Sequence, residues 1–423
     1  MDSTVKGREA TSPNPVWLVA ACCAVYFASY LTRKGYDASI LAICESTGLA
    51  RKAAGLASTA AVALYGSGQF ATGFLADRFD PRKMIAVALM ITAACNAVMP
   101  FAAGAACIPA MVGLWAVNGF AQAMFWPPLV KIVAANLPAK AYKSAVFYVS
   151  VSANVAIVAV FFLVSGCIRF AGWRSSFAVV SCLAVAMAAA WCASIRRLAP
   201  STGTAEASLP GGTAGRGAFA SGEAVPLGKL VAAAGLAPVM AAIACQGILR
   251  DGIEVWAPSI VRDQYGLDAS GSVFSVSLLP VFGVLSMGAA RALRRALGDE
   301  IEAAGALFAI GSACAAVLFA TGGGTLAFGL PVLAVLSACM HGANLMLIGE
   351  LPGRFARYGR VGAVSGVLNA FTYVGAAVSI YGFAALHERF DGWRPVFAVW
   401  IAVLAAGIAM LACAWRRWRR FAK

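Results

Sequence analysis

Histidine is almost absent from this chain. Its 423 residues contain two, His341 and His387, which excludes a histidine-rich metal site and an HExxH hydrolase by inventory. Charge is scarce as well: Asp, Glu, Lys and Arg make up 12% of the residues, where a soluble domain has about a quarter. No water-soluble core needs the 61% of hydrophobic residues that remain. The 12 cysteines never fall in a CxxC spacing, and almost all lie within apolar runs, so they read as small core residues rather than disulfides or metal ligands. No nucleophile–base pair stands out either. The sequence shows no sign of an enzyme, a cofactor or a resident metal.

What is present is long apolar runs. A helix needs about 20 such residues to cross the hydrocarbon region, and the chain offers roughly a dozen such runs, from 16–44 at one end to 394–415 at the other. The expected fold is an all-α polytopic membrane protein with twelve transmembrane helices. The net charge of +15 sits between the runs, not on a nucleic-acid face. Every second connection is basic, as at Arg78/Arg82/Lys83, Arg196/Arg197 and Arg291/Arg294/Arg295, whereas those near 101–108 and 320–326 carry no Lys or Arg. That asymmetry predicts a multi-pass protein of the plasma (inner) membrane with both termini cytoplasmic. The first run is too long for a cleaved signal and reads as a retained helix. The tail WRRWRRFAK, with Trp415 and Trp418 among four arginines, reads as an interfacial anchor.

The chain is internally duplicated. RFAGWRSSF at 169–177 and RFDGWRPVF at 389–397 match at an offset of 220, and LTRKG at 31–35 matches ILRDG at 248–252 at an offset of 217. The expected organisation is a tail at 1–15, a six-helix bundle at 16–197, a flexible linker at 198–229, a second bundle at 230–415 and a basic tail at 416–423. The linker follows from its Gly, Ala, Ser, Thr and Pro, which build no core. Two such halves predict a substrate site between them near the bilayer midplane.

Arg33 and Arg250 occupy equivalent positions deep in the first and seventh runs. A mid-bilayer arginine costs at least about 2.5–3.5 kcal/mol, so it needs a partner or a wet cavity unless it snorkels to a helix end. Neither has an evident acid: Lys34 adjoins Arg33, and Asp251 beside Arg250 should project about 100° away. Two guanidiniums facing across the duplication axis predict a phosphate or carboxylate site. Polar residues at helical spacing point to the same cavity: Tyr26 and Tyr30, Tyr65 and Gln69, Asn118, Gln122 and Trp126, Gln246 and Glu254, His341 and Asn344, and Asn369 and Tyr373. Each taken alone fits an interhelical hydrogen bond equally well. Among these groups His341 is the one whose ordinary titration falls near neutrality.

YFASYLTRKGY, YGSGQFATGFLADRFDPRK, FWPP followed by Lys131, LRDGIEVWAPS, and HGANLMLIGELPGR through GVLNAFTYVGA to FDGWR together resemble the organophosphate:phosphate antiporters of the major facilitator superfamily. The resemblance spans both halves. It implies that Arg33 and Arg250 grip phosphate, that Tyr26, Tyr30 and Tyr65 line the pore, and that Trp126 is the tryptophan of the fourth helix. It also implies a conformational latch of Gly73, Asp77, Arg78, Arg82 and Lys83. Gln69 stands where the glycerol-phosphate carrier has a lysine, Ala153 precedes Asn154 where it has a histidine, and His341 replaces a tyrosine. The function so implied is a monomeric secondary transporter that exchanges a small phosphorylated or other organic anion for inorganic phosphate by rocking of the halves. A membrane receptor for such an anion and a proton-coupled symporter need the same pocket, and the sequence leaves them open.

Overall fold

The computed structural model describes residues 15–195, 227–358 and 361–422. The first half contains α1 (Pro15–Thr47), α2 (Arg51–Arg78), α3 (Pro81–Gly104), α4 (Ile108–Ala123), α5 (Trp126–Asn136), α6 (Ala139–Ala171) and α7 (Trp173–Ile195). The second contains a short α8 (Leu227–Ala233), then α9 (Leu236–Tyr265), α10 (Ala269–Ser275), α11 (Leu278–Leu297), α12 (Glu300–Thr321), α13 (Leu326–Asn344), α14 (Val361–Phe390) and α15 (Arg394–Ala422). A π-helical turn, Leu345–Glu350, and a 3-10 segment, Leu351–Tyr358, continue α13. No strand occurs among the described residues.

Among the described residues 11 helical segments are long and apolar enough to cross a membrane, with α4 running into α5 and α10 into α11 as single crossings. The twelfth crossing is α2, as long at 28 residues but bearing Tyr65, Ser67 and Gln69. This is the all-α, twelve-helix architecture expected from the sequence. Most of the linker and of the N-terminal tail lies outside the described residues. At the other end α15 runs to Ala422, so residues 416–422 form its last turns.

Breaks in the helices follow local chemistry. Proline is tolerated in a first helical turn, and Pro81 opens α3 while Pro127 in the FWPP turn separates α5 from α4. Asp80 caps α3, its carboxylate accepting from the Arg82 backbone N–H at 2.9 Å. The hydrogen bonds from the Arg82 side chain hold the Asp80 carboxyl below the ordinary carboxylate range. Gly266, left-handed at φ 69°, ends α9 and donates to the Arg262 carbonyl at 3.0 Å.

Helices in lipid associate by close packing rather than by hydrophobic burial. Gly119 of α4 lies directly on the Ala61 carbonyl of α2, leaving no room for a Cβ. Gly247 of α9 and Gly375 of α14 pack the same way on the Thr372 and Ala244 carbonyls. Gly119→Val is therefore expected to lower the apparent unfolding temperature by about 5 °C or more, measured by size-exclusion after heating. Gly113→Val, on the same helix but in open space, should leave it within about 1 °C.

Two basic clusters differ from expectation. Trp418 is fully buried and donates to Asp299 at 2.9 Å, and Trp415 donates to Glu302 at 2.7 Å. The tail tryptophans thus fasten α15 to the start of α12 instead of floating at the interface, because acids on the next helix offer acceptors that lipid lacks. In the second half the basic residues that the charge pattern places in a loop are held by acids: Glu350 pairs with Arg291 at 3.1 Å and Arg294 at 2.7 Å. Glu300, 2% exposed, pairs with Arg294 and Arg354.

Polar contacts between the halves concentrate at the end of the bundle away from the chain termini. Arg262 reaches Glu45 at 2.6 Å, Lys52 reaches Glu388 at 3.2 Å, and Arg51 pairs with Asp263. Ser165 of α6 and Ser270 of α10 exchange hydrogen bonds of 2.9 and 3.0 Å. At the terminal end the pairs Arg291–Glu350 and Arg82–Asp80 each lie within one half. The far end is sealed.

Candidate functional site

Equivalent residues of α1 and α9 face each other across the interface between the halves. Arg33 lies just past the middle of α1 and Arg250 at the middle of α9, so both sit well inside the membrane. The Arg33 guanidinium carbon stacks 3.9 Å from the Tyr65 ring centroid and 5.8 Å from that of Tyr30. Among the described residues it has no carboxylate in ion-pairing range.

Arg250 differs, and the sequence expectation fails here. Its Nη2 lies 2.7 Å from Asp251 Oδ2, its Nε 3.3 Å from Oδ1, and its Nη1 donates to Asn344 Oδ1 at 3.0 Å. Adjacent side chains leave a helix about 100° apart, yet the long arginine stem folds back far enough to close a bidentate pair. Its charge is paired at contact distance, and among the described residues that of Arg33 is not.

Aromatic rings form the walls beside Arg33. Tyr26 packs on Tyr30 with centroids 5.2 Å apart and on Trp126 at 5.3 Å, the latter placed by the FWPP break. Tyr65 of α2 meets Tyr373 of α14 edge-on at 5.1 Å, joining the two halves. Six residues expected from the sequence, Arg33, Tyr26, Tyr30, Tyr65, Trp126 and Tyr373, therefore come together.

A second set joins Glu254 and His341, both expected at the cavity, to Lys34 and Asp37, which the sequence did not mark as cavity residues. Lys34 Nζ lies 3.1 Å from Glu254 Oε2 across the interface and 3.6 Å from Asp37, and Asp37 also accepts from Ser58 at 2.5 Å. Glu254 Oε1 meets His341 Nε2 at 3.0 Å, and His341 Nδ1 lies 3.0 Å from the Ser337 carbonyl of its own helix. The duplication offset of 217 relates Asp37 to Glu254, so the two acids are equivalents one turn beyond the two arginines. A polar cavity lined by Arg33, Lys34, Asp37, Ser58, Gln122 and Asp251, among others, lies between the halves.

Other expected residues stand apart. Asn154 donates to the Ser150 carbonyl of its own helix at 3.0 Å, and Gln69 makes no side-chain hydrogen bond among those described. Gln122 donates to Thr32 at 2.9 Å and Thr92 at 3.0 Å, and Gln246 donates to the Met340 carbonyl at 3.1 Å, so these serve as interhelical bonds even where Gln122 touches the cavity. Of the latch residues, Arg82 is held by Asp80 and Lys83 is exposed. The side-chain surroundings of Gly73, Asp77 and Arg78 lie outside the described set.

Residues 22–380 match the family described as Major Facilitator Superfamily. The chain belongs to the major facilitator superfamily. Its fold agrees: a bacterial homologue of the human lysosomal transporter Spinster, in an inward-facing and unoccupied conformation, superposes with a TM-score of 0.76 over 97% of this chain and 99% of that one, at 14% identity. Two of the relatives in sequence are named for organophosphates. A probable hexose phosphate transport protein of Chlamydia trachomatis is 25% identical over 38% of this chain, which spans 35% of that protein. A glycerol-3-phosphate transporter of Bacillus subtilis is 27% identical over 38% of this chain and 36% of its own length. The membrane sensor protein UhpC of Salmonella typhimurium is 25% identical over 91% of this chain and 88% of its own length. These relatives bear out the resemblance to the organophosphate:phosphate antiporters. As a superfamily member this multi-pass protein bears its polar groups where the halves meet: the charged cluster on α1 and α9, with His341 of α13, and the sealed far end.

Proposed function

We propose that this protein is a secondary transporter of a small phosphorylated or similar organic anion, exchanged for inorganic phosphate through rocking of its two halves. The observation that carries the reading is Arg33, a guanidinium inside the membrane at the half–half interface, stacked on tyrosine rings and with no carboxylate in ion-pairing range among the described residues. A charge so placed is stabilised by an anion that enters beside it. The planar fork suits phosphate, which accepts two parallel hydrogen bonds. Tyr26, Tyr30, Tyr65, Trp126, Tyr373 and Arg250 border the same space and complete the substrate-binding set, with His341 behind Glu254. Gln69 and Asn154 belong to this set only if they turn inward in another state.

With both termini in the cytoplasm of a plasma-membrane protein, the sealed end faces outward and the conformation is inward-facing. Since Asp251 already compensates Arg250, the cost of an empty site falls on Arg33, and that cost favours exchange over uniport. The second reading is an anion sensor, supported by the extent of the match to the Salmonella sensor. Reconstituted vesicles preloaded with phosphate decide between them: labelled phosphate, hexose phosphates and glycerol phosphate should show counterflow. Saturable binding of these anions without counterflow would establish the sensor, and absence of binding would overturn both readings.

A further inference from the structure

His341 sits between two acceptors. Its Nδ1 lies 3.0 Å from the Ser337 carbonyl, which can only accept, so Nδ1 bears a hydrogen. Its Nε2 lies 3.0 Å from Glu254 Oε1, while the other carboxylate oxygen of Glu254 takes Lys34 at 3.1 Å. An ionised carboxylate also only accepts. A neutral ring would therefore point a lone pair at a carboxylate oxygen. The contact closes as a hydrogen bond only with one more proton, lying between Nε2 and Oε1.

That proton decides the charge of the site. Around Glu254 stand Lys34 and Asp37 from α1 and Arg250 from α9, and beyond them lie Arg33 from α1, Asp251 from α9, Asn344 from α13, Tyr373 from α14 and Tyr65 from α2. From α11, Gly283 packs against the imidazole and adds no charge. Three cations, Arg33, Lys34 and Arg250, stand against three carboxylates, Asp37, Asp251 and Glu254. Without the extra proton the set is formally neutral, and with it the set carries +1.

We propose that the Glu254–His341 pair is a proton-binding site whose proton supplies the net positive charge that holds the anion, so that proton and anion bind together. This rests on the reading of Arg33 and its surroundings as an anion site. When the proton leaves Nε2 for water, the pocket loses one positive charge and Glu254 is left to compete with the anion for Lys34. Anion binding draws the proton back. A carrier built this way couples anion movement to a proton.

The test titrates purified protein, bearing a tag without histidine, with sulfate and with inorganic phosphate from pH 6 to 8.5. Calorimetry in two buffers of different ionisation enthalpy counts protons taken up per anion. Sulfate stays fully ionised throughout, and phosphate's own ionisation is removed by difference from the variants. Wild-type protein should take up as much as one proton per anion and lose affinity by up to about tenfold per pH unit once the proton is lost, because one charge is at stake. His341→Gln and Glu254→Gln should each bind with a flat pH profile and no uptake. Anion binding by the wild type with no proton uptake across the range would overturn the proton site alone. Absence of both sulfate and phosphate binding in folded wild-type protein would overturn the anion reading, and the proposal with it. Proton uptake retained in both variants would place the proton elsewhere and overturn the assignment.

Discussion

Arg33→Lys should weaken phosphate binding about 10- to 100-fold, although the charge is kept. Hydrogen bonds to charged groups contribute about 1.5–3 kcal/mol, and an ammonium cannot reproduce the two parallel bonds of a guanidinium fork. It also loses the contact of the guanidinium carbon over the Tyr65 ring, 3.9 Å from its centroid. Arg250→Lys should cost less, under about tenfold, because that guanidinium already spends donors on Asp251 and Asn344. The sequence alone made the two arginines equals; their partners make them unequal. Calorimetric titration of both variants with phosphate, each shown to be folded by size-exclusion, measures the order. Equal losses at the two positions would mean that Asp251 does not compensate Arg250 in the binding-competent state.

The twelve crossings, the duplication and the depth of Arg33 and Arg250 were legible because each is a property of short stretches: apolar length, repeated motifs, a charge in an apolar run. The ring cluster followed from the resemblance, and the structure gathers it. What escaped reading were the partners. Lys34 and Glu254 lie 220 residues apart, and the 217-residue offset was applied to the arginines but not to Asp37, whose equivalent is Glu254. The angle between neighbours in a helix argues against Asp251 as a partner, but that angle holds for Cβ directions and not for the tip of a long flexible side chain. The acids that hold the second-half basic loop are Glu300 at the start of α12 and Glu350 in the π-helical turn after α13, elements whose packing on α11 no local pattern announces. Asp80, not singled out, caps α3 because a cap is set by the residue before the first turn, here the one before Pro81.

Asp263→Asn should open the sealed end. Asp263 sits on α9 at the centre of that seal, where it accepts from both terminal nitrogens of Arg51, from Trp393 Nε1 at 2.8 Å, and lies 3.6 Å from His387 Nε2. Both members of the pair are largely sheltered, Arg51 at 18% and Asp263 at 27% exposed, so the interaction falls between the weak surface ion pair and the strong buried one. Glu45–Arg262 and Lys52–Glu388 flank it, but they are more exposed and more easily replaced by water. The three ion pairs, Arg51–Asp263, Glu45–Arg262 and Lys52–Glu388, each join the first half to the second, so each must break when the halves rock to open this end. Removing the central one raises the energy of the sealed state and leaves the open state nearly unchanged, because there the charges are already hydrated. A bias of about 1–3 kcal/mol shifts the ratio of the two states about 5- to 150-fold. Cys44 reports it directly, since it is buried on α1 just beneath Arg51, Glu45 and Glu388. In nanodiscs, modification of Cys44 by a bulky charged maleimide, followed at the peptide level by mass spectrometry, should accelerate at least about fivefold in Asp263→Asn. The exchanged pair Arg51→Asp with Asp263→Arg should restore part of the protection, because the attraction returns although the Trp393 hydrogen bond does not. A Cys44 rate unchanged by Asp263→Asn would mean that apolar packing and the serine pair Ser165–Ser270 close this end without help from charge.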